Sequence, residues 1–157
     1  MTFPTVLLDL NSTYASNASA VHQMQWGIYN VCQEVYRSWL TELLRDREVL
    51  LLTSRPSKYQ AETMKRIMSL ENWQPKMSLF NSWRLRAPDA KEKMLYEYVF
   101  PMYGEPSQHE YVAIESNIKT REMFNRHGIR AITQQELAGN NKLLYSSQAQ
   151  HSLLSLL

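Results

Sequence analysis

Five short apolar runs, each bounded by polar or turn-forming residues, most constrain what this chain can become. They fall at Thr5–Leu10, Glu48–Thr53, Met77–Phe80, Tyr111–Glu115 and Arg130–Ile132. Their apolar character is continuous rather than alternating, which suits strands covered on both faces, as in a parallel sheet. The longest unbroken run, Val49 to Leu52, is strand-sized and far from the ~20 residues that span a bilayer. No membrane partner is expected.

Between the runs, apolar residues recur at helical spacings of three and four. In Ala18–Leu44 the residues Val21, Met24, Ile28, Val31, Cys32, Val35, Tyr36, Trp39, Leu40 and Leu43 form one stripe. It reads as one core helix, or two short ones parting near Gly27, with Cys32 buried in it. Further helices are expected at Lys58–Leu70, at Ala90–Tyr103 up to the stop signal Gly104-Glu105-Pro106, and at Ile118–His127. Gly128 is well placed as a left-handed cap for the last of these. A short helix at Gln134–Leu137 and a docked, Leu-rich C-terminal segment complete the reading. Strands alternating with helices of this length imply a Rossmann-like three-layer α/β/α sandwich on a mainly parallel sheet of about five strands.

With 157 residues and no Pro-rich or Gly/Ser-rich linker, the chain reads as a single domain. Its core would span about residues 5–132, with a polar extension over 133–157. An apolar content of 44% excludes a disordered class. The N-terminus lacks the basic stretch and long apolar segment of a signal peptide, and the single cysteine, Cys32, has no internal partner. Together these point to a reducing, cytoplasmic setting. The formal net charge of +2 permits anionic ligands without demanding nucleic acid.

Function is sought where open α/β sheets place it, outside the carboxyl ends of the strands. The first strand runs into Asp9-Leu10-Asn11-Ser12-Thr13, the second into Thr53-Ser54-Arg55-Pro56, and the fourth into Glu115-Ser116-Asn117. Lys91 and Lys93 open a helix. A carboxylate nucleophile, a metal-binding acid, a hydroxyl and a lysine are the parts for phosphoryl transfer through an aspartyl-phosphate. His22, His109, His127 and His151 show no metal-ligand spacing and read as surface or helix-end residues.

At these residues the sequence resembles the haloacid dehalogenase superfamily, whose four motifs occur here in order. Leu7-Leu8-Asp9-Leu10-Asn11-Ser12-Thr13 is similar to its hydrophobic-DxDx(T/V) signature, which implies that Asp9 is the nucleophile. Leu51-Leu52-Thr53-Ser54-Arg55 resembles the strand ending in a hydroxyl residue; Ser54 is preferred over Thr53. Asp89-Ala90-Lys91-Glu92-Lys93 resembles the lysine motif, with Lys91 preferred over Lys93. Val112-Ala113-Ile114-Glu115-Ser116-Asn117 resembles the acidic turn that holds Mg²⁺, which implies Asp9 and Glu115 as ligands. Two departures stand out. Asn11 replaces the usual second Asp, the general acid and base, and Ser116 replaces a second metal-site Asp, so weaker metal binding and weakened activity are expected.

Neither interval between motifs has room for a substantial cap domain, and capless relatives act on large substrates. The stretch Trp83-Arg84-Leu85-Arg86-Ala87-Pro88-Asp89-Ala90-Lys91-Glu92 is also similar to a region of polynucleotide 3′-phosphatase domains. Arg55, Arg84 and Arg86 are therefore the expected substrate-binding cations, for a nucleic-acid end or a phosphoprotein. The alternative is a catalytically degenerate relative that uses the same cleft to bind a phosphorylated ligand or a partner protein.

Overall fold

A computed structural model describes residues 3–146. The strands are β1 (Thr5–Leu8), β2 (Val49–Pro56), β3 (Met77–Asn81), β4 (Tyr111–Ile114) and β5 (Arg130–Ile132). All pair in parallel, in the order β3-β2-β1-β4-β5. The expected α/β architecture is therefore present, with the first strand at the centre. The helices are α1 (Ala18–Val21), α2 (Ser38–Leu44), α3 (Gln60–Glu71), α4 (Ala87–Met94), α5 (Phe100–Tyr103), α6 (Ile118–Arg126) and α7 (Gln134–Gly139).

Alternate strand residues point to opposite faces, so a sheet this apolar builds two cores. Val6, Leu8, Val49, Leu51, Val112 and Ile114 pack with Leu40 and Leu44 of α2, Ile67 of α3 and Leu137 of α7. Leu7, Leu50, Leu52 and Ala113 pack with Ala90 and Met94 of α4, Phe100 of α5, and Met123 and Phe124 of α6. Each fully buried side chain of this kind contributes ~1.5–3 kcal/mol. From β1 the chain winds outward through β2 and β3 with helices on one face. It then returns to β4 and β5 with helices on the other. The direction reverses between β1 and β4, the switch point at which such sheets open a crevice.

The stripe over Ala18–Leu44 does not form one helix. It breaks into α1, two 3₁₀ turns (Met24–Trp26 and Val31–Gln33) and α2. Gly27 sits at φ 68°, in the left-handed region. The carboxamides of Asn17 and Asn30 also take over backbone partners. Asn17 bonds Gln33 O and Val35 N, and Asn30 bonds Val21 O, which competes with helical pairing. Two readings change with it: Cys32 is exposed and His22 is buried. The helix expected at Ala90–Tyr103 starts earlier, at Ala87, and carries a π-helical turn at Leu95–Val99. Pro101 follows that turn; it lacks the N–H that would complete a regular ladder. The C-terminal segment from residue 147 onward, expected to dock, lies outside the described residues. Among the described residues, no helix is long and apolar enough to cross a membrane.

Candidate active site

Three segments far apart in sequence meet at the carboxyl rim of the sheet. β1 delivers Asp9, whose N–H still donates to Ile114 O of β4. Beyond it the chain turns sharply, with Ser12 at φ 64°. That turn swings the Thr13 hydroxyl back to donate to Asp9 Oδ2 at 2.8 Å. The second turn of α4 brings Lys91, almost fully buried, between two carboxylates. Its Nζ donates to Asp9 Oδ1 at 2.7 Å and to Glu115 Oε1 at 2.5 Å. Just past β4, Glu115 Oε2 accepts the Asn117 N–H at 3.1 Å, while the Asn117 side chain caps α6 through Thr120 N. The Ser116 hydroxyl lies 3.0 Å from Asp9 Oδ2 and 3.2 Å from the Asn11 carbonyl oxygen.

This packing sets the protonation states. Burial alone would raise the Asp9 pKa, but the charge and hydrogen bonds of Lys91, with Thr13, hold it below the ordinary value. Asp9 is thus an anion at neutral pH. Burial opposes the Lys91 ammonium, yet Asp9 and Glu115 raise its pKa above the ordinary lysine value. Glu115 bears the cost: burial and the neighbouring Asp9 charge push it up to about 7, against the pull of Lys91. Like charges at close range and a dry environment act together there.

Asp9, Asn11, Lys91 and Glu115 of the expected set are joined at one rim. Lys91 rather than Lys93 reaches the carboxylates; Lys93 pairs with Glu97 at 2.5 Å and lies over the Trp83 ring. The hydrogen bonds linking Asp9, Thr13, Lys91, Glu115 and Ser116 do not include Ser54. That residue is half-buried, and its carbonyl accepts from Asn81. The Thr53 hydroxyl is buried and accepts the Arg55 N–H at 3.1 Å, beside the register shift in β2 between Leu52 and Pro56.

Arg55 does not face solvent. Its guanidinium, expected on substrate, is sealed at 0% exposure, with an ion pair to Glu34 and a 2.9 Å hydrogen bond to Thr63 Oγ1. Its link to the rim is Asn11, whose Oδ1 accepts from Nη2 at 2.7 Å. Behind it, Glu34 also accepts from His22 Nε2 at 2.5 Å and from the Tyr36 hydroxyl at 2.7 Å. Arg84 and Arg86 are exposed on the loop after β3, where they remain available to an anion.

Sequence reasoning passed over Thr13, although a hydroxyl four residues past a strand-end Asp was a usable signal. It also missed Glu34, His22 and Tyr36. Their positions lay in or beside the apolar stripe, which hid them.

The donors nearest one another, Asp9 Oδ2, the Asn11 carbonyl and the Ser116 hydroxyl, are all oxygen, which is the chemistry a hard cation such as Mg²⁺ takes. Among the described residues, no group of three or more His, Cys, Asp or Glu side chains forms a metal cradle. A Mg²⁺ ion at this rim would have few charged ligands and would rely on water for the rest. A depression of about 570 Å³, lined by Ser19, His22, Gln23, Met24, Gln25 and Trp26, lies on the segment between β1 and α2 rather than at Asp9.

No protein-family profile and no curated protein matches this chain. Among solved structures it is similar to a chain of the Pnkp1/Rnl/Hen1 RNA repair complex, with a TM-score of 0.65 and 14% identity. The match covers 83% of this chain but only 42% of that one, and at this identity the likeness is one of fold.

Proposed function

We propose that the chain is a hydrolase of the haloacid dehalogenase type that transfers a phosphoryl group to Asp9. The observation that carries this reading is Lys91, buried and shared between Asp9 and Glu115 at the switch point of the sheet. A buried ammonium between two carboxylates keeps the nucleophile ionised and supplies positive charge beside an incoming phosphoryl group. Asp9 would attack phosphorus, the leaving group would depart, and water would then cleave the aspartyl-phosphate. Asp9, the Asn11 carbonyl and the Ser116 hydroxyl are the groups that would hold Mg²⁺, and Glu115 would join them only by releasing Lys91 or the Asn117 N–H. When bound, the cation would neutralise charge on the phosphoryl oxygens. The substrate read as fitting best is a large phosphate compound of nucleic-acid type. Arg84 and Arg86 lie exposed beside Trp83 on the loop after β3, and the fold neighbour comes from an RNA repair complex.

Mg²⁺-dependent release of phosphate should fall to the uncatalysed background in Asp9→Asn, and saturating Mg²⁺ should raise the melting temperature of the wild-type chain. Activity that survives Asp9→Asn would overturn the reading. The second reading, a cleft that binds a phosphorylated ligand without turnover, is favoured by Asn11, whose amide cannot cycle a proton. Phosphate binding that depends on Lys91, with no transfer from any donor, would select it.

A further inference from the structure

The Asn11 side chain is oriented by its partner. A guanidinium only donates, and Arg55 Nη2 lies 2.7 Å from Asn11 Oδ1, so the carbonyl end of the amide faces Arg55 and its NH₂ faces away. Arg55 has no freedom to release it. Glu34 pairs with it, Thr63 accepts from Nη1 at 2.9 Å, and the Tyr29 ring lies 4.6 Å from its Cζ. Residue 11 therefore offers hydrogen-bond donors and no transferable proton.

Among the described residues, the other titratable groups near Asp9 are committed elsewhere. Lys91 donates hydrogen bonds to Asp9 and Glu115 and stays charged between them. Glu115 carries a raised pKa, but both of its oxygens are turned to protein donors, Oε1 to Lys91 and Oε2 to the Asn117 N–H, so neither is left over to serve a leaving group. His22 Nε2 bonds Glu34, and its Nδ1 accepts the Asn30 N–H, so the imidazole is spent on the far side of Arg55. Burial raises the Tyr29 phenol above its ordinary pKa.

Resting on the hydrolase reading above, we propose that this site takes phosphoryl groups only from donors whose leaving oxygen departs without a proton. These are phosphoanhydrides and acyl phosphates, with aryl phosphates as laboratory stand-ins; alkyl phosphate monoesters are excluded. In the step, an Asp9 carboxylate oxygen forms a bond to phosphorus. The bond from phosphorus to the bridging oxygen breaks, and its electron pair leaves on that oxygen. When that oxygen belongs to a phosphate, a carboxylate or a nitrophenolate, the anion is stable in water. When it belongs to an alcohol, the alkoxide needs a proton that Asn11 cannot give. A positioned general acid is worth ~10²–10⁴ in rate, which sets the expected discrimination. For a nucleic-acid substrate this selects a 5′-triphosphate end over a terminal monophosphate.

The test measures phosphoryl transfer by the whole chain with Mg²⁺, using two groups of donors. The first holds acetyl phosphate, p-nitrophenyl phosphate and an RNA oligonucleotide with a 5′-triphosphate. The second holds glycerol 2-phosphate and the same oligonucleotide with a 3′-monophosphate. Transfer from the first group, lost in Asp9→Asn, is expected to exceed that from the second by about 10²-fold or more. Comparable rates in the two groups overturn this inference and leave the hydrolase reading standing. No Asp9-dependent transfer from any donor overturns the hydrolase reading and this inference together.

Discussion

Two buried ion clusters lie on either side of Asn11, built from the same kinds of residue and finished differently. In the inner one, Glu34 receives His22, Tyr36 and both terminal nitrogens of Arg55, with its side chain and that of Arg55 at 0% exposure. One carboxylate meets one guanidinium, and the carboxylate is saturated with donors. In the outer one, Asp9 and Glu115 share a single ammonium, Lys91, and the Asp9 side chain keeps 8% exposure. One negative charge is left unmatched, and Glu115 shows it by rising to about 7. A charge-matched cluster fixes geometry; an under-matched one at the rim of the sheet retains the capacity to receive a ligand. The inner cluster joins the irregular 22–36 segment to β2 and α3. The outer cluster joins β1, α4 and β4 at the carboxyl rim of the sheet.

The largest effect that separates the two is the loss of their cations. Arg55→Met strands Glu34 in a dry environment and should cost ~3–5 kcal/mol, measured as a drop in urea-unfolding free energy. Lys91→Met should cost clearly less, because Glu115 is already raised towards neutrality and takes up a proton in response. Equal losses would break the contrast. Lys91→Met should nonetheless abolish phosphoryl transfer.

A smaller effect, opposite in sign for the two clusters, comes from pH. Burial would raise Glu34, but the hydrogen bonds and charge of Arg55, with His22 and Tyr36, hold it below its ordinary 4.5. Its share of stability is present above that value and lost as pH falls through the lowered pKa. Glu115 runs the other way. Raised by burial and Asp9, it favours the folded chain most below pH 4.5, and that share disappears as pH climbs through about 7. At about 1.4 kcal/mol per pKa unit the upper limb is worth up to about 3 kcal/mol. Unfolding curves from mildly acid to mildly alkaline pH, with a chelator present, should show that decline, and Glu115→Gln should flatten it. A wild-type profile flat over this range would mean that the outer cluster is as well matched as the inner.

The outer cluster was legible in the sequence and the inner one was not, for a physical reason. Asp9, Glu115 and the hydroxyls of Thr53 and Ser54 each follow an apolar run, and a parallel sheet must carry strand ends to one rim. Lys91 was harder to separate from Lys93, because both lie near the helix start and only packing decides which points inward. Glu34 and His22 sit amid Val31, Val35 and Tyr36, where helical periodicity predicted an apolar face. The carboxamides of Asn17 and Asn30 and the left-handed turn at Gly27 broke that periodicity. Such side-chain bonds to the backbone leave no spacing signature. Arg55 illustrates both cases: its place after the apolar run Val49–Leu52 was visible, but the bulge and extra strand residues that turn it into the core were not.

The smallest expected effect concerns charge that belongs to neither cluster. Arg84 and Arg86 are exposed, Arg84 at φ 58° on the loop between β3 and α4. Replacing both by Ala should change unfolding free energy by no more than about 0.5 kcal/mol, as for other exposed positions. If the cleft receives a nucleic-acid end, the same change should act on binding through phosphate contacts. Each arginine that touches a phosphate steepens the dependence of affinity on salt by about one unit of slope. Oligonucleotide titrations across a salt series would therefore read a shallower line for the double variant, with transfer from acetyl phosphate unaltered because that small donor carries no nucleic-acid backbone for the arginines to touch. An unchanged slope would detach the arginines from the substrate path and leave the carboxylates and Lys91 to recognise the phosphoryl group alone.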